Sequence, residues 1–216
     1  MSADVSPETA RWTRRKRARP GEILDAALKV FAERGFAAAR MEDIARQAGV
    51  TKGTIYLYFE SKEAVFKSLV REAVGKTIGD VTADIAMDDG SVRSLLRRVL
   101  LTVARMLLET EKVALPKIVI AESANFPWLA EFYRYEVIDR GLALLTSLIE
   151  RGVAGGEFRA LPVQHVARLC MAPVLLGAIW RMTFAHLDRE PYDYKAMIDV
   201  HLDVLLRGLA AEGKAP

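Results

Sequence analysis

The sequence predicts an all-α protein with a small basic head and a larger helical body. Three observations lead there. Apolar residues recur at helical spacing along most of the chain, as in Ile23, Ala27, Val30 and Phe31. Nowhere does the alternation expected of strands persist. The periodic stretches are bounded by helix punctuation, with proline at first turns, Ser or Thr at N-caps and glycine at C-terminal ends. With 216 residues, 51% of them apolar and 27% charged, the chain has the length and composition of a globular protein with a sizeable core.

Taken in order, residues 1–19 show no apolar periodicity and read as a disordered basic arm. Pro20 opens a first helix, which Gly35 stops. A second short helix is expected over 41–48 and is broken by Gly49. A third runs from Lys52 to near Phe59, capped by Thr51. Ser61 caps a fourth, which continues to about residue 86. Further helices are expected from Ser91 to Glu109, over 113–124, from Pro127 to Val153, from Pro162 to Leu187 and over 193–211. The expected domains are therefore the arm (1–19), the head (20–66) and the body (67–211).

Charge is distributed unevenly. Residues 1–75 hold 14 Lys and Arg against 10 Asp and Glu, whereas residues 76–216 hold 17 against 18. Residues 11–19, RWTRRKRAR, carry six bases and no acid. Such a run is either a solvated tail or an arm that lies on phosphates, in which Arg15 and Arg17 would be contacts. The lone Cys170 excludes an internal disulfide, and the charged N-terminus lacks the apolar stretch of a secretory leader. A cytoplasmic protein with no membrane span is expected.

Residues 41–59, MEDIARQAGVTKGTIYLYF, carry the functional signal. Two helices are joined by a tight turn at Ala48-Gly49-Val50. Ala45 allows close approach, Gly49 supplies the positive φ, and Val50 and Ile55 fill the space between the helices. This is the pattern of a helix-turn-helix, whose second helix enters the major groove. Lys52, Gly53, Thr54 and Tyr56 fall on the outward side. The hydroxyls of Thr54, Tyr56 and Tyr58 suit phosphates and base edges, and Lys62, just beyond, suits a phosphate.

The run IARQAGVTKGTIYLYFESKEAVF, after a helix ending FAERGF, resembles the TetR family of one-component regulators over residues 21–70. The resemblance implies an all-α homodimer whose N-terminal helices bind operator DNA and whose C-terminal helices form a ligand cavity and the dimer interface. It places DNA contacts at Lys52, Gly53, Thr54, Tyr56, Tyr58 and Lys62. One departure is evident. The family usually has Ser or Thr before the first motif helix, where this chain reads Ala38-Ala39-Arg40. The helix thereby lacks a cap worth about 1 kcal/mol, and Arg40 is left as the candidate phosphate contact.

A dimer fits two half-sites about 34 Å apart on one face of an inverted repeat. The expected interface is 163–187 with 193–210. Val163, Val166, Ala167, Cys170, Val174 and Gly177 form one stripe there, and Ile198, His201, Leu202, Leu205 and Leu209 another. Both stripes also fit intrachain core.

In the body, large aromatics and methionines suggest an apolar cavity for a small hydrophobic or amphipathic ligand. The candidates are Met106, Trp128, Phe132, Met171, Trp180 and Phe184. Glu122 sits in an apolar helix and requires a partner, either Arg134, Arg181 or the ligand. The sequence has no phosphate loop, nucleophile elbow or metal-binding motif, so no cofactor and no catalysis are expected. The readings are then a repressor released by a small molecule, a regulator without such an effector, and, more distantly, a helical enzyme or carrier.

Overall fold

In the computed structural model, residues 20–87 and 90–211 are described, and among them no strand is present; the one β feature is an isolated bridge between Phe158 and Ala210. The basic arm with Arg15 and Arg17 lies outside the described residues. The chain divides into two compact units. The first holds the described residues through Ala73 together with Ala114–Leu129, and the second holds the remainder.

The first unit contains α1 (Pro20–Ala38), α2 (Met41–Gln47), α3 (Lys52–Tyr56), the first part of α4 (Lys62–Met87), α6 (Ala114–Glu122) and the start of α7 (Pro127–Tyr133). Its core is aromatic. Phe31, Phe36 and Phe66 meet pairwise at 5.6–5.7 Å between ring centroids. Phe126 and Trp128 turn their edges to Phe36 at 5.2 and 5.3 Å. Edge-to-face geometry sets the positive rim of one ring against the negative face of the next. Gly35 adopts φ +74° and ψ 173°, a non-helical kink that only glycine takes readily, where the first helix was expected to stop; Phe36–Ala38 follow it as a separate turn.

The second unit is built from the rest of α4, α5 (Val92–Glu109), α8 (Arg140–Ala154), α9 (Val163–Thr183) and α10 (Tyr194–Leu209). Its core includes Leu95, Leu96, Leu100, Ile149, Phe158, Cys170 and Ile198, each almost inaccessible. α9 packs against α5, α8 and α10. Ser91 is the N-cap of α5, but its hydroxyl does not cap the helix backbone; instead Glu157 accepts from the Val92 N–H at 2.9 Å and from the Ser91 hydroxyl at 3.0 Å. A carboxylate there also complements the positive end of the helix dipole.

Several expected boundaries move. α3 ends at Tyr56 instead of Phe59, with Leu57 and Tyr58 in a turn. The single helix expected from Pro127 to Val153 is α7, then a π-helical turn over Arg134–Asp139, then α8. Apolar periodicity does not encode such a widening, which inserts residues without interrupting the helical path. The expected dimer stripes are interior: Val166, Ala167, Cys170, Val174, Gly177, Ile198, Leu202 and Leu209 are buried within the chain. Burial pushes the Cys170 thiol up to about 12, which leaves it inert.

The opposite sides of the same helices stay apolar and uncovered, at Leu169, Leu176 and Ile179 on α9 and Val200 and Val204 on α10. Being apolar on both sides, α9 is long and apolar enough by composition to cross a membrane. Six of its residues are nonetheless buried in the core of the second unit.

Candidate nucleic-acid interface

The two short helices of the first unit have the geometry of a reading head. α2 begins at Arg40, whose extended backbone (φ −119°, ψ 153°) makes it the N-cap, with no side-chain cap bond. The lost cap at Ala38-Ala39-Arg40 is therefore real. The Arg40 carbonyl accepts from Asp43 and Ile44 at 3.0 and 3.2 Å, so the helix is closed by backbone alone. Its acid Asp43 is buried and is neutralised by Arg34 at 2.9 Å and by Arg46 one turn on. A buried carboxylate needs such partners. This pair ties α2 to α1.

Gly49 takes φ +67°, the conformation the tight turn requires. Val50 then donates to the Ala45 carbonyl at 3.0 Å, closing the turn. Thr51 caps α3, its hydroxyl accepting from Thr54 N at 3.2 Å and lying 2.9 Å from the Thr54 hydroxyl. Ile55 is fully buried and Phe59 nearly so. These anchors fix which side of α3 faces out.

The outward side holds the residues expected there. Lys52 and Gly53 are exposed, Thr54 is half-buried, and Tyr56 and Tyr58 are 44% and 43% exposed. Lys52 pairs with Glu42 at 2.5 Å and lies 5.9 Å from the Tyr56 ring centroid. The hydrogen bond from Lys52 lowers the Glu42 carboxyl and raises the Lys52 ammonium, so the lysine is charged and held by an acid it can exchange for a phosphate. Arg40 is exposed at the start of α2. Leu57, at 82% the most exposed large apolar side chain among the described residues, closes α3 beside these residues. It was not among the expected contacts, although an apolar residue inside an outward polar run is the signal that marks it. Its chemistry suits a thymine methyl.

Lys62 behaves differently from the expectation. Its ammonium donates to the carbonyls of Phe36, Ala37 and Ala39 at 2.6, 3.0 and 2.9 Å and lies 4.5 Å from the Phe36 ring centroid. Desolvation lowers its pKa while Glu122 raises it. Three carbonyls satisfy three N–H donors, so Lys62 here secures the end of α1.

Of the expected ligand residues, two are displaced. Glu122 binds neither Arg134 nor Arg181. Its carboxylate accepts from the backbone N–H of Phe36 at 2.5 Å and of Ala37 at 2.7 Å, within the first unit. Arg134 instead pairs with Asp139 at 2.7 Å, and Arg181 donates to the Leu107 and Thr110 carbonyls at 3.2 and 3.1 Å. Trp128 packs on Phe36 and Phe66, with the Lys67 ammonium 5.2 Å from its ring centroid. Both residues belong to the head because the segment Ala114–Leu129 does.

Met106 and Met171 are half-buried against the core of the second unit, and Phe132 is half-buried on α7. Trp180 meets Phe184 at 5.2 Å and donates to Asp188 at 2.6 Å. A pocket of about 430 Å³ in the second unit is lined by Leu108, Gly177, Arg181, Tyr192 and Tyr194 among others. None of the expected ligand residues lines it.

The sequence profile of bacterial regulatory proteins of the tetR family matches residues 23–69, and that of the tetracyclin repressor-like C-terminal domain matches residues 86–192. The fatty acid metabolism regulator protein of Bacillus subtilis is 27% identical over 91% of this chain and 98% of its own length. The HTH-type transcriptional regulator AcrR of Shigella flexneri is 32% identical over 82% of this chain and 85% of its own. The crystal structure of FadR from Bacillus subtilis in complex with stearoyl-CoA superposes with a TM-score of 0.71, at 25% identity, over 88% of this chain and all of that one. With its helix-turn-helix and both of its domains matched, this chain belongs to the TetR family of bacterial regulatory proteins and is a DNA-binding transcriptional regulator.

Proposed function

We propose that this protein is a homodimeric, cytoplasmic repressor that leaves an inverted-repeat operator when a long-chain acyl-CoA binds its second unit. The observation that carries the DNA part is the outward side of α3. Gly49, Thr51 and Ile55 fix that helix, and Lys52, Gly53, Thr54, Tyr56 and Tyr58 are thereby presented to a groove, with Arg40 at the head of α2. Arg15 and Arg17 are proposed to follow the phosphate backbone from the N-terminal side.

The ligand class rests on the likeness to the fatty acid metabolism regulator and to the FadR structure with stearoyl-CoA. An acyl chain requires an apolar interior with room to yield, and Met106, Phe132 and Met171 are half-buried, adaptable residues suited to that. Trp180 and Phe184 are kept as flanking candidates.

The dimer is proposed to form through Leu169, Leu176 and Ile179 with Val200 and Val204, the apolar sides that the chain leaves uncovered. Two copies of α9 and α10 would then bury them as a two-fold bundle.

The test is a labelled operator duplex titrated with protein and then with stearoyl-CoA. Release at micromolar stearoyl-CoA, and none with free coenzyme A, is the expected result. Retention of the duplex at saturating stearoyl-CoA would overturn the acyl-CoA assignment and favour a regulator with a different effector or none.

A further inference from the structure

The four residues between the turn of α1 and the start of α2 are held by two charged side chains from elsewhere in the first unit. At Gly35 the backbone swings to φ +74°, so the next two N–H groups have no place in the helix ladder. The Glu122 carboxylate, at the last residue of α6, takes one with each oxygen, from Phe36 at 2.5 Å and from Ala37 at 2.7 Å. The carbonyls of Phe36, Ala37 and Ala39 converge on Lys62, at the first residue of α4. A Cβ at Gly35 would lie 2.5 Å from the Glu122 oxygen, so the carboxylate occupies space that only glycine leaves open. Phe126 and Trp128, just after Glu122, clasp the Phe36 ring.

Arg40 comes directly after this stretch and caps α2 with no side-chain bond of its own. The start of α2, and through the Gly49 turn the setting of α3, thus depends on how residues 36–39 are held. Glu122 enters the first unit on a segment, Ala114–Leu129, that joins the second unit covalently at both ends.

We propose that Glu122 is a positioning residue for DNA binding: its carboxylate latches the Phe36 and Ala37 amides and so fixes the reading head on residues 36–39. The proposal rests on the DNA-binding reading of the head and adds a residue that touches no DNA. Its electrostatic signature is unusual. An acid in a DNA-binding head repels phosphate, so neutralising one ordinarily tightens binding. A latch predicts the reverse.

The experiment compares wild type with Glu122→Gln, full chain, on the same operator duplex across a salt series. The amide keeps the shape but offers one acceptor and a donor where two acceptors are needed. The expected result is a fold unchanged by circular dichroism and an operator affinity lowered roughly 10-fold or more, the order of a lost charge-assisted hydrogen bond. The slope of log affinity against log salt should stay the same, because no phosphate contact is removed. In a Trp12→Phe, Trp180→Phe background, where Trp128 is the lone tryptophan, its emission should shift to the red. Affinity equal to or tighter than wild type would overturn the latch while leaving the DNA reading intact. Absence of binding by wild type to any duplex would instead sink that reading. Should the variant fail to fold, hydrogen exchange in the wild-type operator complex decides the matter. The latch expects the Phe36 and Ala37 amides to be protected like the interior of α1, and exchange as fast as exposed amides would overturn it.

Discussion

The reading head and the paired helices α9 and α10 are both short on polar interior, yet they present opposite problems to the chain. In the head, one side of α3 is polar and aromatic while the other is sealed by Ile55 and Phe59. The turn at Gly49 and the cap at Thr51 allow one orientation. In α9 and α10, apolar residues lie on both sides, and either could have been core. A surface defined by backbone geometry needs few residues to specify it. A surface defined only by hydrophobicity remains ambiguous until packing chooses a side.

Substitutions should separate the two kinds of surface, and the largest effect is expected in the aromatic core behind the head. Phe31→Ala removes a fully buried ring that touches Phe36 and Phe66. It should cost about 3–5 kcal/mol of unfolding free energy, read by chemical denaturation. Next comes the outward side of α9. Leu176→Glu sets a charge on the apolar face proposed to pair. Sedimentation should show monomer where wild type is dimer, with the fold kept and operator affinity lost roughly 100-fold or more as one half-site is given up. On α3, Tyr56→Ala should lower operator affinity roughly 10-fold with dimerisation unchanged.

Smaller effects sharpen the electrostatic side. Lys52→Ala should weaken binding to all sequences and reduce the salt slope by about 1. Glu42→Gln, which frees Lys52 from its partner, should instead tighten binding by roughly two- to five-fold, in keeping with an exposed pair. The smallest effect concerns His201 on α10, whose buried Nε2 has no hydrogen-bond partner. Burial lowers its pKa below the ordinary 6.5. The unfolded chain therefore binds the proton more readily, and stability should fall as pH drops through 6.5 and level off below the depressed folded value. Denaturation midpoints measured from pH 7.5 to 5 should show a shallower fall for His201→Gln.

How far the sequence could be read follows the same division. Gly35, Gly49, Thr51 and Ser61 mark backbone events that few other residues allow, and each does in the structure what its chemistry predicts. The outward residues of α3 followed from those marks. Glu122 and Trp128 were misplaced with the body because nothing local tells that Ala114–Leu129 returns to the head. That is a long-range packing choice, and the partners of Glu122 are backbone amides 85–86 residues away, invisible to side-chain matching. The carbonyls of Phe36, Ala37 and Ala39 that hold Lys62 are invisible in sequence for a related reason, since backbone acceptors leave no trace there. The stripes on α9 and α10 fitted an interface or intrachain core equally well, and packing places Val166, Cys170, Val174, Ile198 and Leu202 in the core.

The central claim is that two copies of this head read an operator together. Selection and sequencing of duplexes from a random pool, with affinity then measured at two salt concentrations, tests it most directly. The account predicts an enriched inverted repeat with half-sites about 34 Å apart, or a multiple of that spacing, and affinity that falls steeply as salt rises. Enrichment of no sequence, or of one unpaired half-site bound equally well by the Leu176→Glu protein, would contradict it.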